Sequence, residues 1–208
     1  MSDAFAVPSL DLPDDAQRRV WLLASSAASA AAVAATAVPF VSSFAPSERA
    51  RAAGAAVEVD VSDLPPGGMK TVEWRGKPVW ILRRTPEQLA ALQGHEADLA
   101  DPQSVVDQQP EYARNPARAI RPEVFVAIGI CTHLGCSPNA VAAGSGHPSV
   151  PADWPGGFFC PCHGSTFDLA GRVFKNKPAP TNLEIPPHGW VGAGKLLIGE
   201  DAAWGASA

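Results

Sequence analysis

Cys131-Thr132-His133-Leu134-Gly135-Cys136 and Cys160-Pro161-Cys162-His163-Gly164-Ser165 contain every cysteine of this 208-residue chain. Two close cysteine pairs, each with a histidine beside it, suit a metal site, two disulfides or one of each. Immediately upstream of both motifs the chain reads as strand. Glu123 to Ile130 is its most β-rich run and leads directly into Cys131, and Gly157-Phe158-Phe159 delivers Cys160 in the same way.

The sheet pattern continues further out. Val57 to Val61 alternates apolar and acidic residues with period two, and a turn at Pro65-Pro66-Gly67-Gly68 follows. Met69 to Arg75 and Pro78 to Arg84, joined at Gly76-Lys77, read as a hairpin. Thr85-Pro86-Glu87-Gln88 carries a capping residue, a proline at the first helical position and a glutamine three residues after the cap. It predicts one short helix continuing through Leu89, Leu92, Glu96 and Leu99 and ending at Asp101-Pro102. Gln103 to Pro122 is too rich in proline and polar residues for a strand and reads as a surface loop. After the second motif come Gly171 to Lys175, a Pro178-Ala179-Pro180 turn, Leu183 to Ile185 and Lys195 to Ile198. His95, His147 and His188 stand alone and read as solvated surface residues. The tryptophans, among them Trp74, Trp80, Trp154 and Trp190, read as packing.

Composition bounds the function. A hydrophobic share of 46% is too high for a disordered chain, and 21 prolines with 18 glycines punctuate it with turns, so a compact, loop-rich β protein is expected. The length suits one domain plus an accessory segment. A net charge of −5 sets nucleic-acid binding aside, because neutralising phosphates takes a surplus of Lys and Arg.

The accessory segment is N-terminal. Val20 to Ser47 carries no charge, and the 22 residues Val20 to Val41 are its most apolar part, although nine are alanine. As a helix they reach roughly 33 Å, enough for a bilayer core of about 30 Å. Gln17-Arg18-Arg19-Val20-Trp21-Leu22 at its mouth resembles a twin-arginine export signal. Arg18 and Arg19 on one side are matched by Arg49 and Arg51 on the other, so export logic rather than charge bias places the following domain outside the cytoplasm. The predicted organisation is a cytoplasmic tail at 1–17, a transmembrane anchor at 18–42, a linker rich in small residues at 43–56, and a soluble domain at 57–208.

Each motif offers one cysteine and one histidine to a metal, Cys131 with His133 and Cys160 with His163, and leaves Cys136 and Cys162 over. A 2Fe-2S cluster with two thiolates on one iron and two imidazoles on the other requires such a set. Neutral imidazoles make the cluster less negative and easier to reduce, with potentials of about −150 to +300 mV against about −400 mV for plant-type clusters. Structural zinc needs only four of these six ligands, and the motif spacings differ from zinc-finger patterns.

The pair CTHLGC and CPCHGS resembles the Rieske iron-sulfur protein. With the N-terminal anchor, the chain is similar to the Rieske subunits of bacterial ubiquinol-cytochrome c oxidoreductases over nearly its whole length. The resemblance implies an all-β Rieske domain of antiparallel sheets, with a small cluster-binding subdomain and one short helix, tethered to a transmembrane helix. Its cluster loops would be 131–138 and 160–168, covered by a proline loop at 177–180. It implies one 2Fe-2S cluster, with Cys131 and Cys160 on the inner iron and His133 and His163 on the outer one. Cys136 and Cys162 would form a disulfide between the loops, as an exported domain permits. Ser165 matches a serine that bonds a bridging sulfide in the family. Phe167 departs from the pattern, since many members carry there a tyrosine that donates to a ligand sulfur.

The implied activity is electron transfer from ubiquinol to a c-type cytochrome. His163, with His133 beside it, would contact the quinol and accept a proton with the electron, while Leu134 would form part of an apolar docking tip. The implied partners are a cytochrome b subunit, a c-type cytochrome subunit and ubiquinol, in a dimeric complex of the bacterial inner membrane with the C-terminal domain in the periplasm. A Rieske subunit of another exported oxidase, such as arsenite oxidase, is the alternative.

Overall fold

The computed structural model describes residues 15–48 and 54–200, and the chain divides into two units at Ala50/Arg51. Residues 1–14 of the tail expected at 1–17, the centre of the linker at 49–53 with Arg49 and Arg51, and the end of the expected domain at 201–208 lie outside the described residues.

In the first unit, α1 spans Asp15–Ser43, and its 29 residues make it about 43 Å long. It carries Arg18 and Arg19 in its first turns, buries none of its residues, and reaches a mean hydropathy of 1.6 over 18 residues. Four of its hydroxyls do not need water. Ser25, Thr36, Ser42 and Ser43 donate back to the carbonyls of Leu22, Ala32, Pro39 and Phe40 at 2.7–3.1 Å. By length and composition this helix can cross a membrane.

The second unit contains three three-stranded antiparallel sheets. The strands are β1 (Val57–Asp60), β2 (Met69–Trp74), β3 (Lys77–Arg83), β4 (Val124–Ile128), β5 (Asn139–Val141), β6 (Gly157–Phe159), β7 (Thr166–Phe167), β8 (His188–Val191) and β9 (Lys195–Ile198). The sheet orders are β1-β9-β8, β2-β3-β4 and β5-β6-β7. Successive side chains of a strand face opposite sides, and β3 and β4 use both. Val79, Ile81, Val126 and Ile128 enter a core shared with Val59, Leu196 and Ile198. Trp80, Leu82, Phe125 and Ala127 enter a second core with Phe158, Phe167, Cys131 and Cys160. A strand buried on both faces reads as a continuous apolar run, which is why 124–128 is so evident in the sequence.

Several elements differ from expectation. The capping box at Thr85 and Gln88 is present, but α2 covers only Pro86–Ala90. The chain then turns to bury Leu92, whose carbonyl accepts from Arg172 Nη2 at 2.7 Å, and only a 3-10 turn at Glu96–Asp98 follows. The hairpin turn falls at Arg75-Gly76, one residue before the expected position. Residues 103–122 are more than a surface loop, because Ser104, Gln109, Ala113 and Arg118 are buried. His188 is 1% exposed, with Nδ1 2.8 Å from the Pro186 carbonyl. His95 is largely buried against Asp168 at 3.3 Å. Residues 171–175 and 183–185 form no named strand; Val173 and Phe174 make only isolated bridges to Phe167 and Leu99.

Candidate metal centre

The two motifs fold into loops with the same backbone bonds. In the first, Cys131 N–H donates to the Cys136 carbonyl at 2.7 Å and Gly135 N–H donates to the Cys131 carbonyl at 3.0 Å. In the second, Cys160 N–H donates to Ser165 at 2.8 Å and Gly164 N–H donates to Cys160 at 3.0 Å. Both loops turn back at their fifth residue, where Gly135 and Gly164 adopt φ of +84° and +78°, a region that favours glycine. The equivalence is invisible in the cysteine spacing, which is five residues in one motif and two in the other.

Three further ties lock these loops to each other and to the proline loop. Cys136 and Cys162 are joined by a disulfide with Cα atoms 6.6 Å apart. Ser165 is fully buried, and its hydroxyl accepts from the Ala179 N–H at 3.0 Å. Thr132 Oγ1 donates to the Thr181 carbonyl at 2.7 Å. Sequence reasoning passed over Thr132, which binds the first loop to the segment just after Pro180.

Cys131 and Cys160 are the free cysteines, each 2% exposed. Burial pushes the Cys131 thiol up and the neighbouring Cys160 pushes it further, against the His133 N–H and the Ser165 hydroxyl, which favour the thiolate. A pair of thiolates at this depth requires a cation to compensate it. The sulfurs of Cys136, Cys160 and Cys162 lie within 4.8 Å of one another, but the disulfide consumes two of them, so this trio is not a ligand set.

His133 and His163 stand edge to face, with ring centroids 4.7 Å apart. His133 Nδ1 is buried and makes no hydrogen bond among the described residues. A buried lone pair without a proton donor is costly unless a metal takes it. Two buried thiols, two adjacent imidazoles and one orphaned imidazole nitrogen therefore fit a cluster with mixed sulfur and nitrogen ligands. His163 is exposed and Leu134 beside His133 is 72% exposed, so the outer side of this arrangement is open and partly apolar. Phe167 is fully buried opposite Phe158, and its ring offers no hydrogen-bond donor.

Behind the second loop, Asp168 anchors the turn that follows β7. Its carboxylate accepts from the backbone N–H groups of Ala170 and Arg172 at 2.9 and 2.8 Å, and from Arg172 Nε at 2.7 Å. Burial alone would raise Asp168, but the His95 hydrogen bond, the Arg172 charge and these N–H groups outweigh it and hold the carboxyl below its ordinary value. A depressed carboxyl contributes stability above the unfolded-state value of about 3.9, and that contribution is lost as pH falls through the folded value. Asp168→Asn should therefore flatten the acid limb of the stability curve. Urea midpoints measured from pH 5 downwards check this, and parallel wild-type and variant curves would contradict it.

The Rieske [2Fe-2S] domain family matches residues 55–187. The ubiquinol-cytochrome c reductase iron-sulfur subunit of Allochromatium vinosum is 57% identical over 89% of this chain and 89% of its own length. The subunit of the same name from Blastochloris viridis is 42% identical over 94% of this chain and 99% of its own. Among solved structures, a chain of a hyperthermophilic respiratory Complex III covers 84% of this chain and 97% of its own, at 27% identity and a TM-score of 0.43.

Proposed function

Because the chain belongs to the Rieske [2Fe-2S] family and is closely related to bacterial ubiquinol-cytochrome c reductase iron-sulfur subunits, we propose that it is the electron-transfer subunit of such a complex, carrying electrons from ubiquinol to a c-type cytochrome. The observation that carries this reading is the pairing of two buried free thiols with two adjacent histidines, one exposed. Cys131 and Cys160 would hold one iron, and His133 and His163 the other. When bound, the cluster takes up and gives up one electron at high potential.

The chain's own groups supply the rest. His133 Nδ1, buried and without a hydrogen bond among the described residues, would be its ligand atom, which would leave Nε2 free for the outer side. His163, the more exposed histidine, accepts the ubiquinol hydroxyl hydrogen bond at its outward ring nitrogen and holds the proton released with the electron. Leu134 packs into the apolar wall of the quinol pocket on the partner, with its side chain free to do so. The disulfide and the Thr132 and Ser165 bonds keep both loops in register, so little reorganisation accompanies electron transfer.

The partners in this reading are a cytochrome b subunit and a c-type cytochrome subunit, within a dimeric complex. Residues 18–42 anchor the chain in the bacterial inner membrane, 1–17 lie in the cytoplasm, and 43–56 link the anchor to a periplasmic domain at 57–208. Export of a folded domain through a twin-arginine signal, and a disulfide that persists outside the cytosol, support that side. Purification from native membranes tests the assignment. Co-purification with b- and c-type haem and quinol-dependent cytochrome c reduction is expected; recovery with a haem-free oxidase partner would refute it.

Phe167 sets the expected potential. A hydrogen bond to a ligand sulfur stabilises the more negative, reduced cluster, and a phenyl ring cannot donate one. Phe167→Tyr should raise the midpoint potential. A donor worth about 1 kcal/mol between the two redox states corresponds to roughly 40 mV. Redox titration of the variant checks this, and an unchanged or lower potential would rule it out.

A further inference from the structure

Three arginines are buried in the second unit: Arg84, Arg118 and Arg172, exposed by 2%, 0% and 1%. Among the described buried residues, the one acidic side chain is Asp168. Arg172 pairs with it directly at 2.7 Å. Arg84 and Arg118 bond mainly to backbone carbonyls. Arg84 donates to Pro122 and Leu169 at 2.9 and 3.1 Å. Arg118 donates to Ala170, Gly171 and Leu183, and to Gln109 Oε1, at 2.8–3.3 Å.

Three buried guanidinium charges therefore share one buried carboxylate, since Asp168 pairs with Arg172 and also acts at longer range on Arg84 and Arg118. Glu123 and Asp101 act on them from exposed and half-buried positions, where water screens the interaction. Burial lowers Arg84 and Arg118 to about 10, so both remain charged at neutral pH.

Anchoring carbonyls does not account for this arrangement. Neutral amides can donate to carbonyls, whereas here Arg84 Nη2 and Arg118 Nε are left without partners among the described residues. Burying charge in excess of its compensation is costly, which points to a role for the charge itself.

One path from Arg84 towards the ligand cysteines runs through apolar side chains. The Arg84 guanidinium lies 5.2 Å over the Phe125 ring. Phe125 packs with Phe158, Phe167, Cys131 and Cys160 in one hydrophobic core. The intervening rings are fully buried, and a field crossing them is weakly screened compared with one crossing water. Reduction adds one negative charge at the cluster.

We infer that Arg84 and Arg118 are electrostatic positioning residues for the redox equilibrium: their buried positive charge, in excess of the one buried carboxylate, favours the reduced cluster and raises its potential. Their field opposes the loss expected from Phe167. The inference rests on the reading that Cys131, His133, Cys160 and His163 hold the cluster.

The test is an EPR-monitored redox titration of the full-length, cluster-loaded chain. Arg84→Gln should lower the midpoint potential and Arg84→Lys, which keeps the charge, should restore it towards the wild-type value. Asp168→Asn, which removes the opposing charge, should move the potential upward. The EPR line shape, which reports the ligand set, should stay that of the wild type in all three. Equal potentials for the Gln and Lys variants would overturn the inference. If Arg84→Gln does not fold, Asp168→Asn decides: a rise supports the inference, and an unchanged or lower potential overturns it. A wild-type chain without an iron-sulfur signal would overturn the ligand reading instead.

Discussion

Cys160→Ser should leave the chain without its cluster: no EPR signal on reduction, and quinol-dependent electron transfer at background. Cys160 is 2% exposed beside the other free thiol and within the core that carries Phe158 and Phe167. Serine preserves the backbone bond from residue 160 to the Ser165 carbonyl, because that bond uses the main-chain N–H. The loop should therefore keep its shape while losing a ligand. A serine hydroxyl is far less acidic than a thiol and does not ionise readily at this depth. Three ligands of the wrong balance cannot hold two irons. The effect should be all or none, measured as iron and acid-labile sulfide per chain. A variant retaining stoichiometric cluster would remove Cys160 from the ligand set.

The second large effect concerns stability. Cys136 and Cys162 are 26 residues apart, and a disulfide closing a loop of that length restricts the unfolded chain by about 3–4 kcal/mol in the chain-entropy account. For a unit of this size, that lowers the melting temperature by roughly 10 °C. The appropriate variant is the double Cys136→Ala, Cys162→Ala. A single replacement leaves a thiol within 4.8 Å of Cys160, free to compete for metal or to form a wrong disulfide. The double variant also frees the two loops from each other, leaving Thr132 and Ser165 to hold them through the proline loop. Calorimetry should show the loss. A melting temperature within 2–3 °C of the wild type would mean that these two bonds already supply the closure, since roughly 1 kcal/mol corresponds to that interval.

What the chain order reveals follows from how local each feature is. The two motifs are contiguous, so their chemistry is readable directly. β4 is readable because both its faces are buried, and α2 because its capping box is local. The early end of α2 is not readable, since it depends on Arg172 capturing the Leu92 carbonyl from 80 residues away. His95 and His188 look isolated in sequence because their partners, Asp168 and Tyr112, are more than 70 residues distant. Residues 103–122 look like surface because their polar side chains, Gln109 and Arg118 above all, bond backbone carbonyls and each other inside the fold. Polarity marks exposure only when no interior partner exists. The short strands β5 and β7 carry too few residues for periodicity to register, and in β8 burial does not alternate.

The shared backbone pattern of the two cluster loops belongs to the same class. Cys131 to Cys136 and Cys160 to Ser165 are equivalent in their hydrogen bonds although their second cysteines and their histidines occupy different steps. The first loop places histidine third and the second places it fourth, yet the rings meet at 4.7 Å. Equivalence of main-chain turns, with different side-chain registers, lets one half-site approach the other without repeating it.

The most direct test of the central claim is an EPR-monitored redox titration of the reduced full-length chain with nitrogen couplings resolved. We expect one cluster signal per chain, two coupled histidine nitrogens that vanish in turn with His133→Cys and His163→Cys, and a midpoint within about −150 to +300 mV. A signal without nitrogen coupling, with a midpoint near about −400 mV, would contradict the assignment of His133 and His163 as ligands.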